Sequence, residues 1–372
     1  MRIIFDIGHP AQVHLFRNAV WQLQRDGHEV AVTCSDKDVT IGLLRGYGVP
    51  YHVIGRSRRG VAKLFLEMLA RDWRLLRFAL SFKPDVMVGG PGNVTAPTVG
   101  RLLRKPSVVF DDTEHSRYEH LLMDRLATII CTPACYKKEL GRPQLRYDGY
   151  PPLAYLHPRY FRPDPAVLSG LGLGEGEKLV VMRFVAFQAS HDVATTGFSP
   201  AAKLKLVEGL EKHGRVIITS ESPLPESLRK YQLRVSPEQL HSVLSYADLY
   251  VGDGGTTAVE AALLGTPSVH CIRVVRQGRV LSAADIHGSF WDLQNRYRLL
   301  YTFTDEEQAI GKAGELLGLT DAKKIWKGRV ENLLANSTDV TSFITWVIRQ
   351  SPSGLQHIRG QVSVRERLTD AY

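Results

Sequence analysis

One arrangement recurs along this chain and restricts it more than any other feature: a short apolar run, often ending near a glycine, followed by residues of helical periodicity. Arg2-Ile-Ile-Phe-Asp-Ile-Gly8 is the first run. Val13, Leu15, Phe16, Ala19, Val20 and Leu23 then mark a helical stripe that stops at Gly27, and Glu29-Val-Ala-Val-Thr-Cys34 begins the next run. This is strand, helix, strand at crossover spacing. Tyr51-His-Val-Ile54, Asp85-Val-Met-Val88, Ser107-Val-Val-Phe110 and Thr128-Ile-Ile-Cys131 continue it. Each helical crossover returns the next strand in the same direction, so the strands pair in parallel and helices cover both faces. The expected fold class is α/β, built from doubly wound parallel sheets that bind ligands beyond the carboxyl ends of their strands.

At 372 residues the chain is long for one core. From Tyr150 the texture changes: Pro151, Pro152, Pro158, Pro163 and Pro165 are followed by Gly170, Gly172, Gly174 and Gly176. Such density marks a connection between two bodies. A second alternating series starts at Lys178-Leu-Val-Val-Met-Arg-Phe184 and runs through Arg215–Ser220, Asp248–Val251, Ser268–Ile272 and Leu299–Thr302. The expected division is a first Rossmann-like domain over 1–155, a hinge over 156–177, a second Rossmann-like domain over 178–350 and a basic tail over 351–372. Two such domains would face each other across a cleft.

The second series holds the strongest local signal, Val251-Gly-Asp-Gly-Gly-Thr-Thr-Ala-Val-Glu260. A strand ending at Gly252 stops in a glycine-rich turn and restarts as a helix. Turn glycines let a ligand approach the backbone, and the free amides and dipole of a helix N-terminus favour an anion. Gly254, Gly255, Thr256 and Thr257 are the candidate phosphate contacts. Glu260 is a candidate acceptor for sugar hydroxyls, because an ionised carboxylate only accepts. Strand ends nearby supply Arg183, whose guanidinium matches phosphate oxygens in a fork, and Ser220 with Glu221. A surface salt bridge is the other reading of Arg183.

In the first series the strand ends deliver Gly8-His-Pro-Ala-Gln-Val-His14, Gly89-Gly-Pro-Gly-Asn93 and Asp111-Asp-Thr-Glu-His115. His14 is a candidate general base, since imidazole titrates near neutral pH; a helix-entry histidine packed on the sheet is the alternative. Asp111, Asp112 and Glu114 are candidate proton acceptors, although Asp112 or Thr113 would equally cap a helix beginning near Glu114. His9 and Asn93 complete the candidate substrate contacts on this edge.

The formal net charge of +9 points to an anionic partner. No aromatic-basic motif or recognition helix suggests nucleic acid. Cys34, Cys131, Cys135 and Cys271 are too scattered for a disulfide framework and lack zinc spacing. Met1-Arg2 leads directly into the first run, without a leader pattern or an apolar stretch of membrane-spanning length, so a cytoplasmic location is expected. Arg56 to Leu80 joins an apolar stripe to a basic flank and Trp73. It reads either as a helix resting on an acidic membrane surface, giving a peripheral location at the inner membrane, or as a core helix with a solvated basic face.

The stretch Pro237 to Val269, with its helix, Ala-Asp, strand, Gly-Gly, Glu260 and Leu264-Gly-Thr-Pro267, resembles the nucleotide-sugar signature of the GT-B glycosyltransferases and their epimerase relatives. Gly89 to Pro97, continuing to Pro106–Glu114, is similar to the glycine loop, helix and polar loop of the transferase that adds N-acetylglucosamine to lipid-linked muramyl peptide. His9-Pro-Ala-Gln-Val-His14 resembles the turn carrying the base histidine in many members, with Val13 where glycine is usual. Asp253 and the loop Asp111–Glu114 also depart from the pattern. In overall texture the chain is similar to an uncharacterised prokaryotic GT-B-like family. The resemblance implies two Rossmann-like domains facing a cleft, Gly254, Gly255 and Thr256 on a diphosphate, Glu260 on a ribose, and His14 near the acceptor. It implies a metal-independent transferase that needs no cofactor beyond a nucleotide-sugar donor, acting on a lipid- or glycan-linked acceptor; no nucleic-acid partner is expected. A nonhydrolysing UDP-N-acetylglucosamine 2-epimerase is the runner-up, and a non-catalytic binding protein for nucleotide sugars or polyanions is the reading from another class.

Overall fold

The computed structural model describes residues 1–37, 39–56, 61–114, 117–174, 176–186 and 195–353, without the side chains of 61–65 and 117–119. The chain divides into two compact units, 1–160 together with 337–372, and 161–336.

The first unit is built on seven parallel strands: β1 (Arg2–Ile7), β2 (Glu29–Asp36), β3 (His52–Arg56), β4 (Val86–Gly89), β5 (Ser107–Phe110), β6 (Ile129–Pro133) and β7 (Gln144–Tyr147). Their order is β3-β2-β1-β4-β5-β6-β7. Ile3, Ile4, Phe5, Met87, Val88, Val108 and Val109 are all fully buried, as continuous apolar runs require in a sheet covered on both faces. Each such side chain contributes roughly 1.5–3 kcal/mol on burial. The helix Pro10–Arg25 starts where His9, in extended backbone, caps it with Pro10 in its first turn, and it ends before Gly27 at φ +80°. The order reverses between β1 and β4, so Gly8 and Gly89 stand at a topological switch point.

The second unit has five parallel strands, in the order Gly214–Ser220, Lys178–Phe184, Leu249–Gly252, Ser268–Cys271 and Leu300–Phe303. Its switch point lies between Lys178–Phe184 and Leu249–Gly252. A small antiparallel sheet of Thr195–Thr196, Arg273–Arg276 and Arg279–Leu281 is added to it.

The compact units differ from the expected domain ranges at the C-terminal end. The helix Val340–Gln350, assigned by sequence to the second domain, belongs to the first unit. Its buried stripe is Val340, Phe343, Ile344 and Val347. Phe343 packs on Tyr147 and Phe110 at ring separations of 4.8 and 6.3 Å, and Thr341 donates to the Ala154 carbonyl at 2.7 Å. Arg349 pairs with Asp26. Periodicity identifies such a stripe but not the surface that receives it. The change of unit at 160/161 falls inside the expected hinge, and the tail from 354 onward lies outside the described residues.

Candidate functional site

The glycine turn of the second unit stands at that unit's switch point. Gly254 caps the helix Gly255–Leu263 without any side-chain hydrogen bond, and the first intrahelical bond runs from the Ala258 amide to the Gly254 carbonyl at 3.0 Å. Among the described residues the amides of Gly255, Thr256 and Thr257 therefore find no acceptor. The turn's carbonyls are satisfied from within. The Tyr250 hydroxyl donates to Gly254 O at 3.0 Å, and His270 Nε2 lies 3.3 Å from Asp253 O. The Asp253 amide donates to Arg183 O at 3.1 Å, and the Val185 amide donates to Asp253 Oδ1 at 2.7 Å. With acceptors turned inward and donors left over at a helix N-terminus, the turn has the chemistry to receive an anion.

One glycine is required here by contact, and a second is closely flanked by a side chain. A Cβ on Gly252 would stand 2.3 Å from the Arg183 carbonyl oxygen, and one on Gly254 would stand 3.1 Å from Arg183 Cδ. The guanidinium stem thus lies along the turn, while its Nη2 pairs with Glu221 Oε1 at 2.9 Å. The salt-bridge reading of Arg183 is the one seen, and the pair lies beside the glycine turn. Glu221 Oε2 also accepts from the Ala186 amide at 3.3 Å, and Ser220 Oγ accepts from the Ser222 amide at 3.3 Å. Thr256 is exposed and Thr257 is buried.

Glu260 is buried, and its Oε1 stands 3.0 Å from His241 Nε2. Sequence reading missed this partner. His241 precedes the motif by a helix and a strand, and only the fold brings it across. His270 was missed too. It interrupts the apolar strand Ser268–Cys271, packs against Phe290 at 4.9 Å, and has no partner for Nδ1. Burial pushes its imidazole down to about 4, so at neutral pH it is uncharged and donates through Nε2 to the turn. Burial pushes the Asp253 carboxyl the other way, from 3.8 to about 6, against the opposing pull of the Val185 amide and Lys203. Asp253 Oδ2 is packed on Gly197 without a hydrogen bond of normal geometry.

On the first unit, Gln12 ties the two sides of the switch point together. Its Oε1 accepts from the Gly8 amide at 2.7 Å and its Nε2 donates to Pro91 O at 2.9 Å. Asn93, expected as a substrate contact, is spent on structure. Its Nδ2 donates to Asp6 O at 3.0 Å and to Asp6 Oδ2 at 2.8 Å, and its Oδ1 accepts from the Ala96 amide at 2.9 Å. Asp6 is completed by Thr33 at 2.9 Å and Arg71 at 2.7 Å. His9 is exposed, and its Nδ1 accepts from the Ala11 amide at 3.3 Å as a helix cap.

His14 lies one turn inside the helix, buried between Tyr47 and Tyr155 at ring separations of 5.6 and 5.3 Å. Its Nδ1 is 3.2 Å from both Arg17 Nη1 and the Tyr47 hydroxyl. A guanidinium only donates, so Nδ1 accepts and the ring proton sits on Nε2. This geometry matches the packed-histidine alternative, with Nδ1 engaged inside the unit.

Asp111 is buried at the end of β5. Its Oδ2 accepts from the Tyr136 hydroxyl at 2.8 Å and lies 3.1 Å from His120 Nε2; its Oδ1 is 3.3 Å from the Gly92 amide. Burial and the Asp111 charge push the Tyr136 phenol well up. The carboxylate fixes the proton on His120 Nε2, and Nδ1 has no partner. Asp124, four residues on and so on the same helix face, has an Oδ1 that also lacks a partner, and burial raises its carboxyl. Asp112 Oδ1 accepts from Thr113 at 3.4 Å, and Glu114 Oε1 accepts from the Lys137 amide at 2.6 Å. His115 lies outside the described residues.

A family model described as "Protein of unknown function (DUF354)" matches residues 1–282. An uncharacterised protein of Methanocaldococcus jannaschii is 25% identical over 279 residues, covering 72% of this chain and 80% of its own length. Among solved structures, a Listeria monocytogenes protein assigned as a UDP-N-acetylglucosamine 2-epimerase is similar with a TM-score of 0.64 at 13% identity, over 94% of this chain and 96% of the other. A Streptomyces sp. SF2575 glycosyltransferase complexed with thymidine diphosphate is similar with a TM-score of 0.60 at 15% identity, over 94% and 100%. The likeness establishes the fold: two Rossmann-like domains of the GT-B type.

Proposed function

We propose that this chain, which belongs to the DUF354 family, is a glycosyltransferase that moves a sugar from a uridine diphosphate sugar to an acceptor held by the first unit. The observation that carries the reading is the glycine turn, whose amides at Gly255, Thr256 and Thr257 remain unspent beside Arg183. Those amides and the guanidinium would take up negative charge as the bond from the anomeric carbon to the diphosphate breaks and the diphosphate departs with the electron pair. Arg183 would exchange part of its pairing with Glu221 for a phosphate oxygen. Glu260, held by His241, would accept from the ribose. An acceptor hydroxyl would form the new bond to the anomeric carbon, and its proton would pass to His120 Nδ1, with Asp111 holding the ring, after a rearrangement that uncovers this buried nitrogen. No metal enters this scheme, and the nucleotide sugar is a co-substrate.

A second reading, a sugar-nucleotide 2-epimerase, is favoured by the gathering of Asp111, Asp112 and Glu114 on the first unit and by the fold likeness to a protein assigned that activity. There a carboxylate would remove the C2 proton as the C1–O bond breaks, the diphosphate departs with its electron pair and a C1–C2 double bond forms; a second acid would then protonate C2 on the other face as the diphosphate adds back to C1.

Incubation with UDP-N-acetylglucosamine alone in deuterated water separates the two. The transferase reading expects thermal stabilisation by the nucleotide sugar, lost in Arg183→Ala, with no deuterium entering C2. Epimer or C2 deuterium rejects it in favour of the epimerase, and stabilisation by no nucleotide at all rejects both.

A further inference from the structure

The helix Val61–Phe82 is apolar on two sides. One side packs into the core through Leu75 and Ala79, with Leu76, Phe78 and Phe82 partly buried against it. A globular protein needs only that one stripe. Leu66, Leu69, Trp73 and Leu80 are nevertheless 65%, 48%, 60% and 57% exposed. At 100° per residue these four fall within about 60° of each other, on the half of the helix turned away from Leu75 and Ala79. Arg77 follows the stripe along one border, exposed and without an ion-pair partner among the described residues, and Arg74 lies beyond it, bound to Glu67 at 2.8 Å.

Charge decides what covers such a face. Residues 56–83 contain eight basic and two acidic side chains, a net +6 out of the whole chain's +9. A protein interface core is depleted in charge, whereas a helix lying on an anionic bilayer sets an apolar stripe against a basic border. No helix among the described residues is long and apolar enough to cross a membrane, so the contact would be peripheral.

We propose that the outward face of Val61–Phe82 docks the protein on an anionic lipid surface, with Leu66, Leu69, Trp73 and Leu80 entering the headgroup region and Arg74 and Arg77 meeting lipid phosphates. The proposal does not depend on the donor chemistry of the second unit.

The test is co-sedimentation of the full-length protein with phosphatidylcholine vesicles, with and without about 30 mol% phosphatidylglycerol, at low salt and at about 0.5 M salt. The wild type is expected to partition at least about tenfold better onto anionic vesicles, to lose most of that preference in high salt, and to lose it in Leu69→Glu and in Trp73→Glu at unchanged melting temperature. Equal binding to both vesicle types overturns the proposal, as does full binding by both variants, which would place the lipid contact elsewhere. A concentration-dependent dimer of the wild type that Trp73→Glu abolishes also overturns it, because the face would then be covered by a second copy.

Discussion

The acid and the imidazole beneath the glycine turn make opposite contributions to stability over the same pH range, and Asp253→Asn separates them. Asp253 is raised from 3.8 to about 6 and His270 is lowered from 6.5 to about 4, both chiefly by burial. Between pH 4 and 6 the native state holds a proton on Asp253 that the unfolded chain has released, so stability falls as pH rises through this window. A displacement of about two pH units at about 1.4 kcal/mol each amounts to about 3 kcal/mol. For His270 the unfolded chain holds the extra proton between pH 4 and 6.5, so stability rises with pH by a similar amount, about 3 kcal/mol. In the wild type the two slopes nearly cancel. Asp253→Asn leaves the rising limb alone: its stability should climb by about 2–3 kcal/mol from pH 4.5 to 6.5. At pH 7 the variant should exceed the wild type by only about 1–2 kcal/mol, because the bond from the Val185 amide, now to a neutral acceptor, weakens. Urea unfolding across this pH range measures the slope, with hydrogen exchange in the strand Leu249–Gly252 reporting on the second unit by itself. A variant curve parallel to that of the wild type would refute the assignment.

Gly252→Ala should cost at least about 2–3 kcal/mol, since its Cβ would stand 2.3 Å from the Arg183 carbonyl and 2.8 Å from the Tyr250 hydroxyl, and neither belongs to a movable chain end; a wild-type melting temperature would contradict the contact. Glu260→Ala should lose about 1–3 kcal/mol by removing the buried hydrogen bond to His241 Nε2, whereas Glu260→Gln, which keeps an acceptor at that position, should stay within about 1 kcal/mol of the wild type. If Glu260 meets a ribose, the Gln variant should still bind a nucleoside diphosphate about five- to tenfold more weakly by calorimetry, at a cost of about 1 kcal/mol or slightly more. Unchanged affinity would confine Glu260 to structure.

The buried strands were legible because a parallel sheet covered on both faces demands unbroken apolar runs. Ser107–Phe110 and Lys178–Phe184 coincide with their strands residue for residue. β7 was not legible: Gln144, Leu145 and Arg146 are only half-buried, and an edge strand needs no apolar run. The glycine turn was legible because its requirements are local, namely positions without a Cβ and a helix start. The supports of that turn were not. His241 and His270 act across 19 and 17 residues of chain, and each reads in sequence as a polar interruption of an apolar segment.

The two histidines of the first unit show what a motif leaves open. His14 sits in the residue pattern that suggests a base, but the pattern fixes only its position along the helix, and the stripe that faces Tyr47 and Tyr155 carries it inward to Arg17. His120 sits in no recognised pattern. It nevertheless meets part of the chemical condition, an imidazole held through one nitrogen by a buried carboxylate with the other nitrogen unspent, though buried. A base is defined by which lone pair the surrounding donors leave unused, and that depends on a strand end, a helix and Tyr136 converging from three places in the chain. The proton-accepting role proposed for this unit is therefore placed on Asp111 and His120 rather than on the packed His14.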